Sequence, residues 1–565
     1  MPHATLPSPG LQALILCGPG VSLNTFTSTP ADLPKALVPI ANRPMVWYPL
    51  DWCYRMGVTD ITLITPPESA SALEVALARD PALTSLPSPR PEILAPKDLM
   101  QTTGTGELLR FAEVQKAISG DFVVLPCDLV SELDGARMLE AWMQLNPLST
   151  TGGKRKGGLS MWYPTYGLEN ISTKKDETDF LATVPLDKPA VPPPSSSLRS
   201  NIEKIVMNMP TDTLKDKLEE DKGYLRLRQS LLRRHGRVRM RMKYRDTGVY
   251  IFPSWVKQFA ANNDRFDSIS EDLLGWWAKA GWQDPELVEK LGLSDVLGDK
   301  PTDPDDTELV QEDDFVDASA LSTTKSPAPA VQVPFASRVR IAPTPTPVDI
   351  PPIHAYVQPA PELSSTPQPF IRRIDTSAQV LNTSLYLAKQ TPPHVLAYEH
   401  KVHPSATLGQ QSRVSQEDCL VAENVKIGLR ANVKESVIGA NCEIGAYSRL
   451  TRCLLMEGAV VGDGVTLTGC IIGRRAKVEG LKPKEEPTTA TTEGSQEAGK
   501  KDKGKKRAQD EEEERTKLTE CEVAPKFVVE AGTEAKGEKF MSFDDAESLD
   551  EMDDGEAEDV SSAPL

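Results

Sequence analysis

Between Leu11 and Pro164 the apolar residues fall in short unbroken runs, separated by longer stretches with helical spacing. The runs at 12–17 (QALILC), 60–65 (DITLIT), 121–126 (DFVVLP) and 158–163 (GLSMWY) lack polar alternation and predict strands buried on both faces. Between them, 44–56, 69–79, 105–118 and 132–145 predict helices. This alternation implies an α/β, mostly parallel, doubly wound sheet with right-handed crossovers. Farther on the period becomes two. Arg237, Arg239, Arg241, Lys243 and Arg245 alternate with Val238, Met240, Met242 and Tyr244, predicting a half-buried strand with a wet, basic face. Ser268 and Glu271 have capping-box spacing ahead of DLLGWWAKAG, where a helix should begin, with Trp276 and Trp277 in the core and the second partly exposed.

The second half carries a different rhythm. Val421, Ile427 and Val433, then Ile438, Ile444 and Leu450, then Leu455, Val461 and Leu467, then Ile472 and Val478 step by six within groups and by five between them. The whole pattern therefore begins again at Val421, Ile438, Leu455 and Ile472. Two positions before each aliphatic residue stands a small or slim one, among them Cys419, Cys442, Cys453 and Cys470, and glycine often follows. A stripe of this spacing fits neither a helix nor a hairpin sheet. It fits a three-sided parallel solenoid, each side one short strand and each aliphatic residue in a triangular core. The pattern reaches back through Val402, Leu408 and Val414, and it resumes at Leu518, Val523 and Val529 after a charged excursion. Cys521 also takes a small position, so the cysteines read as packing and not as a metal or disulfide set.

Composition sharpens the boundaries. The 48 prolines gather near 184–197 and 325–370. The expected plan is a disordered start (1–10), an α/β domain (11–295), a disordered linker (296–330), a connecting segment (331–400), the solenoid (401–531, with a disordered insertion at 481–516) and a disordered acidic tail (532–565). From 544 to 559 there are ten acids and no base, in a chain of net charge −18. That balance argues against general nucleic-acid binding, DNA included. No apolar run is long enough to span a bilayer, no signal peptide opens the chain, and the eight cysteines are unclustered, so a cytosolic protein is expected.

Candidate chemistry sits at the strand ends. CGPGVSLNTF follows the first strand, and a glycine turn there can bring backbone amides to phosphate. With Pro34-Lys35 after it, Gly104-Thr105-Gly106 before the ELLRFAEV helix, Asp128 ending VVLPCDLV and Asp246 in RDTGVYIF, the stretch resembles the nucleotidyltransferase family. The resemblance implies a phosphate-neutralising role for Lys35, a nucleobase contact for the Gly104–Gly106 segment, and Mg²⁺ held between Asp128 and Asp246. Each residue also has a plainer reading: Asp128 as a helix cap, Asp246 as turn chemistry and Lys35 as a solvated lysine. The departures from that family lie in the loop. Active members read G-x-G-T-R-L, whereas Val21, Ser22 and Leu23 stand over T-R-L, so the arginine that steadies the leaving pyrophosphate is missing. Such a contact is worth about 3 kcal/mol. The loop also carries Pro19, and P-K-P has become P-K-A.

The runs LPKALVPIANRPMVWYPLDWC, GDFVVLPCDLV and TGTGELLR, with the hexapeptide solenoid and acidic tail, resemble the gamma-subunit family of eukaryotic translation initiation factor 2B. That resemblance covers about 11–290 and 400–530. It implies a nucleotidyltransferase-like domain followed by a left-handed parallel β-helix, without catalytic residues or a cofactor. Gly18, Gly20, Lys35, Gly104, Thr105, Gly106, Asp128 and Asp246 would then be a vestigial nucleotide site. It also implies pairing with an epsilon subunit, assembly with alpha, beta and delta subunits in a decamer, and initiation factor 2 as the substrate of the complex, with exchange carried by epsilon. The alternative is a sugar-nucleotide pyrophosphorylase using mannose- or glucose-1-phosphate, which the missing arginine opposes. A β-helix acyltransferase would need a coil histidine, and all six histidines lie outside 404–530.

Overall fold

A computed structural model describes residues 9–148, 155–168, 176–194, 196–283, 285–297, 349–360, 368–480 and 515–541. The expectations for 1–8, 298–348, 481–514 and 542–565 lie outside these described residues.

The four buried runs become the strands Gln12–Leu16, Asp60–Ile64, Phe122–Pro126 and Gly158–Pro164. Helices Trp47–Met56, Pro67–Arg79 and Gly135–Leu145 follow the predicted spacing. The helix expected over 105–118 divides into Thr105–Leu108 and Ala112–Ala117, because Phe111 is extended between them (ψ 135°). The break frees Arg110 to donate to the carbonyls of Asn263 and Phe266.

The strands form one nine-stranded sheet. Its order is Glu92–Leu94, Asp60–Ile64, Gln12–Leu16, Phe122–Pro126, Arg239–Phe252, Gly158–Pro164, Ile353–Val357, Ile202–Pro210 and Asp179–Pro185. The first four pair in parallel, as expected of a doubly wound α/β unit. Beyond them Arg239–Phe252 runs antiparallel to both neighbours, so the sheet is mixed and the mostly parallel reading holds only for that half. Nor is 331–400 merely a connection. Ile353–Val357 enters the sheet between two strands, and Ile371–Arg373 pairs with Leu129–Ser131, so this segment completes the domain.

The basic strand is turned over relative to its expected orientation. Arg239 and Arg241 both donate to Glu203, which is 5% exposed, while Met240 (43%) and Met242 (51%) face outward. One buried carboxylate drew the guanidinium face inward, since a buried charge needs partners more than methionine needs cover. The tryptophans are likewise exchanged: Trp277 is buried and Trp276 is 37% exposed.

From Val402 the chain winds as a left-handed parallel β-helix of three six-stranded sheets. Each strand pairs with its counterpart in the next coil, as in Glu443↔Val460, and the register carries on across the insertion, as in Lys477↔Val528. Every cysteine at a small repeat position is buried and free. The glycine after the aliphatic residue is required by the next coil: a Cβ on Gly428 would lie 2.6 Å from the Ala446 nitrogen. The coils run past the expected end at 531, through Glu534–Lys536 and Lys539–Phe540.

Among the described residues, one face of the β-helix is apolar on its outside. Leu420, Val437, Leu454 and Ile471, one position before the core residues, are buried in the same cluster as the α/β core. The equivalent positions on a second face are Lys426, Glu443, Val460 and Lys477. Polar contacts fix the seam: the Asn42 amide donates to the Ile438 carbonyl at 2.9 Å, and Arg43 donates to the Leu396 carbonyl at 3.1 Å. Arg43 lies between the rings of Trp47 and Tyr398, 4.2 and 4.0 Å from their centroids. Ala41 and Asn42 reach these positions with φ of 46° and 63°, the left-handed turn of a tight hairpin. Leu454→Ala should therefore cost about 2–5 kcal/mol in urea unfolding of the full chain. Glu443→Ala, on the wet face, should cost no more than about 0.5 kcal/mol; equal effects would contradict the assignment of the seam.

Candidate functional site

The carboxyl ends of the parallel strands open on a cavity of about 330 Å³, where ligands bind in open α/β sheets. Of the residues singled out from sequence, Gly18, Lys35, Thr105, Asp128 and Asp246 line it. Gly20, Gly104 and Gly106 do not.

Those three glycines serve packing. Gly20 sits at φ 87°, and a Cβ there would lie 2.9 Å from Thr27 Oγ1, whose hydroxyl donates to the Gly20 carbonyl at 2.8 Å. The loop then coils through Val21–Leu23 and Asn24–Thr27. It is held from outside by the β-helix: Thr25 Oγ1 donates to Glu522 at 2.9 Å, and Asp32 pairs with Lys526. A Cβ on Gly104 would meet the Asp267 carbonyl at 2.1 Å, and the Gly106 N–H donates to that carbonyl at 2.8 Å. The amide that would approach a base is already bonded.

Asp128 is the electrostatic centre. It is 1% exposed, and Lys35 Nζ lies 2.8 Å from its Oδ2. Arg373 grips it bidentately, Nε to Oδ1 and Nη2 to Oδ2, both at 3.1 Å. Burial opposes ionisation, but Arg373 and then Lys35 outweigh it and hold the carboxyl well below the usual carboxylate range. Burial likewise opposes the charge on Lys35, and Asp128 more than offsets it.

Asp246 is engaged differently. Its Oδ2 accepts from Tyr250 (2.6 Å) and Ser270 (2.8 Å), and its Oδ1 accepts from the Gly248 N–H (3.0 Å). Burial pushes its carboxyl up, and these donors only partly offset that. Its own N–H donates to Asp179, which burial pushes up to about 7. Beside them Arg245 is clasped by Glu177 and Asp375.

These residues do not fit the Mg²⁺ that the nucleotidyltransferase resemblance implies. Both Asp128 oxygens face cations, Asp246 accepts three hydrogen bonds, and Arg373 stands close enough to influence both carboxylates. Among the described residues no group of three His, Cys, Asp or Glu could hold a metal. The arrangement can order polar groups and bury charge in pairs; Asp128 and Asp246 are both already engaged by protein donors.

Sequence reasoning missed Arg373, Asp179, Arg245 and Tyr250. Arg373 lies in a very short strand, Ile371–Arg373, beyond a proline-rich stretch, too brief for a periodic signal. The doublet of basic residues in PFIRRID was its only trace.

The fold is thus a nucleotidyltransferase-like domain followed by a left-handed β-helix. Residues 415–488 match the family described as GMPPB C-terminal domain. The chain is also similar to translation initiation factor eIF2B subunit gamma of Schizosaccharomyces pombe, 27% identical over 272 residues, which is 48% of this chain. The match spans about half of that relative, 52% of its length. The resemblance to the gamma subunits of this translation initiation factor therefore rests on overall similarity as well as on motifs. Among the described residues, no helix is long and apolar enough to cross a membrane.

Asp179 supplies a test of the cleft's electrostatics. Its folded pKa lies above the unfolded value near 4, so its contribution to stability is full below about pH 4 and is lost as pH rises through about 7. Asp179→Asn keeps an acceptor for the Asp246 N–H. The variant should gain on the wild type by up to about 1.4 kcal/mol per pH unit between pH 5 and 7, measured by denaturant midpoints. A gap that does not change with pH would contradict the assignment.

Proposed function

We propose that this chain is a non-catalytic, gamma-type subunit of the guanine-nucleotide exchange complex that acts on translation initiation factor 2. It pairs with the epsilon subunit, sits with alpha, beta and delta subunits in a decamer in the cytosol, and helps bind the substrate factor while epsilon carries the exchange. The observation that carries this reading is the carboxylate at the head of the cleft, neutralised from within by Lys35 and Arg373. A nucleotidyltransferase would need that carboxylate for a cation, and it would need a loop arginine where Ser22 stands. The similarity to a protein named as an initiation factor gamma subunit supports the partner set. The eight candidate positions are then a relic: Gly18, Lys35, Thr105, Asp128 and Asp246 around the cavity, with Gly20, Gly104 and Gly106 kept for packing.

A second reading, a sugar-nucleotide pyrophosphorylase, draws on the GMPPB-type match at 415–488. That match lies in the β-helix, not in the cleft. The two readings separate cleanly. A tagged full-length chain recovered from its own cytosol should bring four further subunits and initiation factor 2. Recovery as a solitary homo-oligomer that releases pyrophosphate from mannose- or glucose-1-phosphate and a nucleotide at ordinary enzymatic rates would contradict the proposal.

A further inference from the structure

From 222 to 245 the chain carries ten lysines and arginines and no acid. The fold absorbs some of them. Arg226 pairs with Asp221, Arg239 and Arg241 with Glu203, and Arg245 with Glu177 and Asp375. Lys222, Arg228, Arg233, Arg234 and Arg237 are exposed, and no ion pair involves them among the described residues. Their charges crowd other cations. Beyond burial itself, Arg234 further depresses Lys204, and Lys217 and Arg228 further depress Lys279. The acids of the preceding helix Thr211–Glu220 border this surface but stop at Asp221, before the basic run.

The same surface is greasy. Tyr224 (75%), Leu232 (54%), Met240 (43%) and Met242 (51%) stand exposed among the cations. Beneath them Leu231 is buried with Phe180, Leu214 and Trp282, while Leu225, Leu227 and Val238 are half-buried against that cluster, so the surface has a packed base. Apolar groups interleaved with unpaired arginines suit an acidic peptide dotted with apolar residues better than a bare polyanion. A net charge of −18 also repels nucleic acid from the molecule as a whole.

The chain supplies such a peptide. Residues 544–559 hold ten acids and no base, with Leu549 and Met552 interspersed and Phe543 immediately before them. They begin just beyond Met541, the last described residue of the β-helix. Fully extended, the segment to Asp559 reaches about 60 Å, more than the roughly 50 Å diameter of a domain of this size. Tethering sets an effective concentration in the millimolar range, enough for a weak electrostatic contact to persist.

We propose that the basic, apolar-studded surface around Arg233, Arg234 and Arg237 is the docking site of the chain's own acidic segment 543–559. Docking sequesters both surfaces, so an acidic partner must displace the tail to bind there.

The test uses the full-length chain treated with a carbodiimide, which joins lysine amines to carboxylates at contact distance. Lys222 and Lys243 should cross-link to acids between Asp544 and Asp559 within one copy, judged from mixed isotopically labelled and unlabelled protein. The yield should fall at least fivefold in Arg233→Glu/Arg234→Glu/Arg237→Glu and persist when the same three become lysine. Absence of these cross-links, an unchanged yield in the glutamate variant, or cross-links only between copies would overturn the proposal.

Discussion

A carboxylate that is 1% exposed cannot stay charged without cations, and the architecture of this protein follows from which cations Asp128 has. Taking a carboxylate out of water costs several kcal/mol, offset only by close, well-aligned partners. Here Lys35 comes from the loop after the first strand, and Arg373 comes from a strand far along the chain, beyond the proline-rich stretch. The second of these ties the end of the α/β domain to the cleft at the carboxyl ends of its parallel strands. It also commits the cleft: the Asp128 charge is already neutralised by Arg373 and Lys35, whose positive charges repel a divalent ion. These ion pairs join segments far apart in sequence within one domain.

The second domain completes that arrangement. The β-helix does more than follow the α/β unit, because its apolar face joins the same core. Its last coils reach the glycine loop through Glu522 and Lys526. The VPIANRPM run, read from sequence as a family motif, is at its centre a left-handed turn whose Asn42 and Arg43 bond to backbone carbonyls at that seam. Residues that look like part of a nucleotide site are partly the seam between the two domains.

How much of this the sequence disclosed depended on the length and regularity of each signal. The solenoid was legible because its period repeats over many coils, and the core aliphatics, small cysteines and corner glycines all agree with it. The parallel half of the sheet was legible because strands buried on both faces cannot hide their apolar runs. Single long-range ion pairs leave no such imprint. Nothing local marks Arg373 as the partner of Asp128, or Glu203 as the residue that turns the Arg239–Arg241 face inward. The apolar seam was visible in principle, since Leu420, Val437, Leu454 and Ile471 recur with the period of the coils, one place before the core positions. Adjacency to the stronger core pattern masked it.

With Asp128 neutralised by Lys35 and Arg373, the cleft has its charges balanced without a metal–nucleotide complex, and calorimetry can check this. Magnesium and GTP, or magnesium and ATP, titrated together into the purified full-length chain should give no saturable heat up to the millimolar range. Magnesium-dependent binding in the micromolar range, lost on Asp128→Asn, would contradict the account.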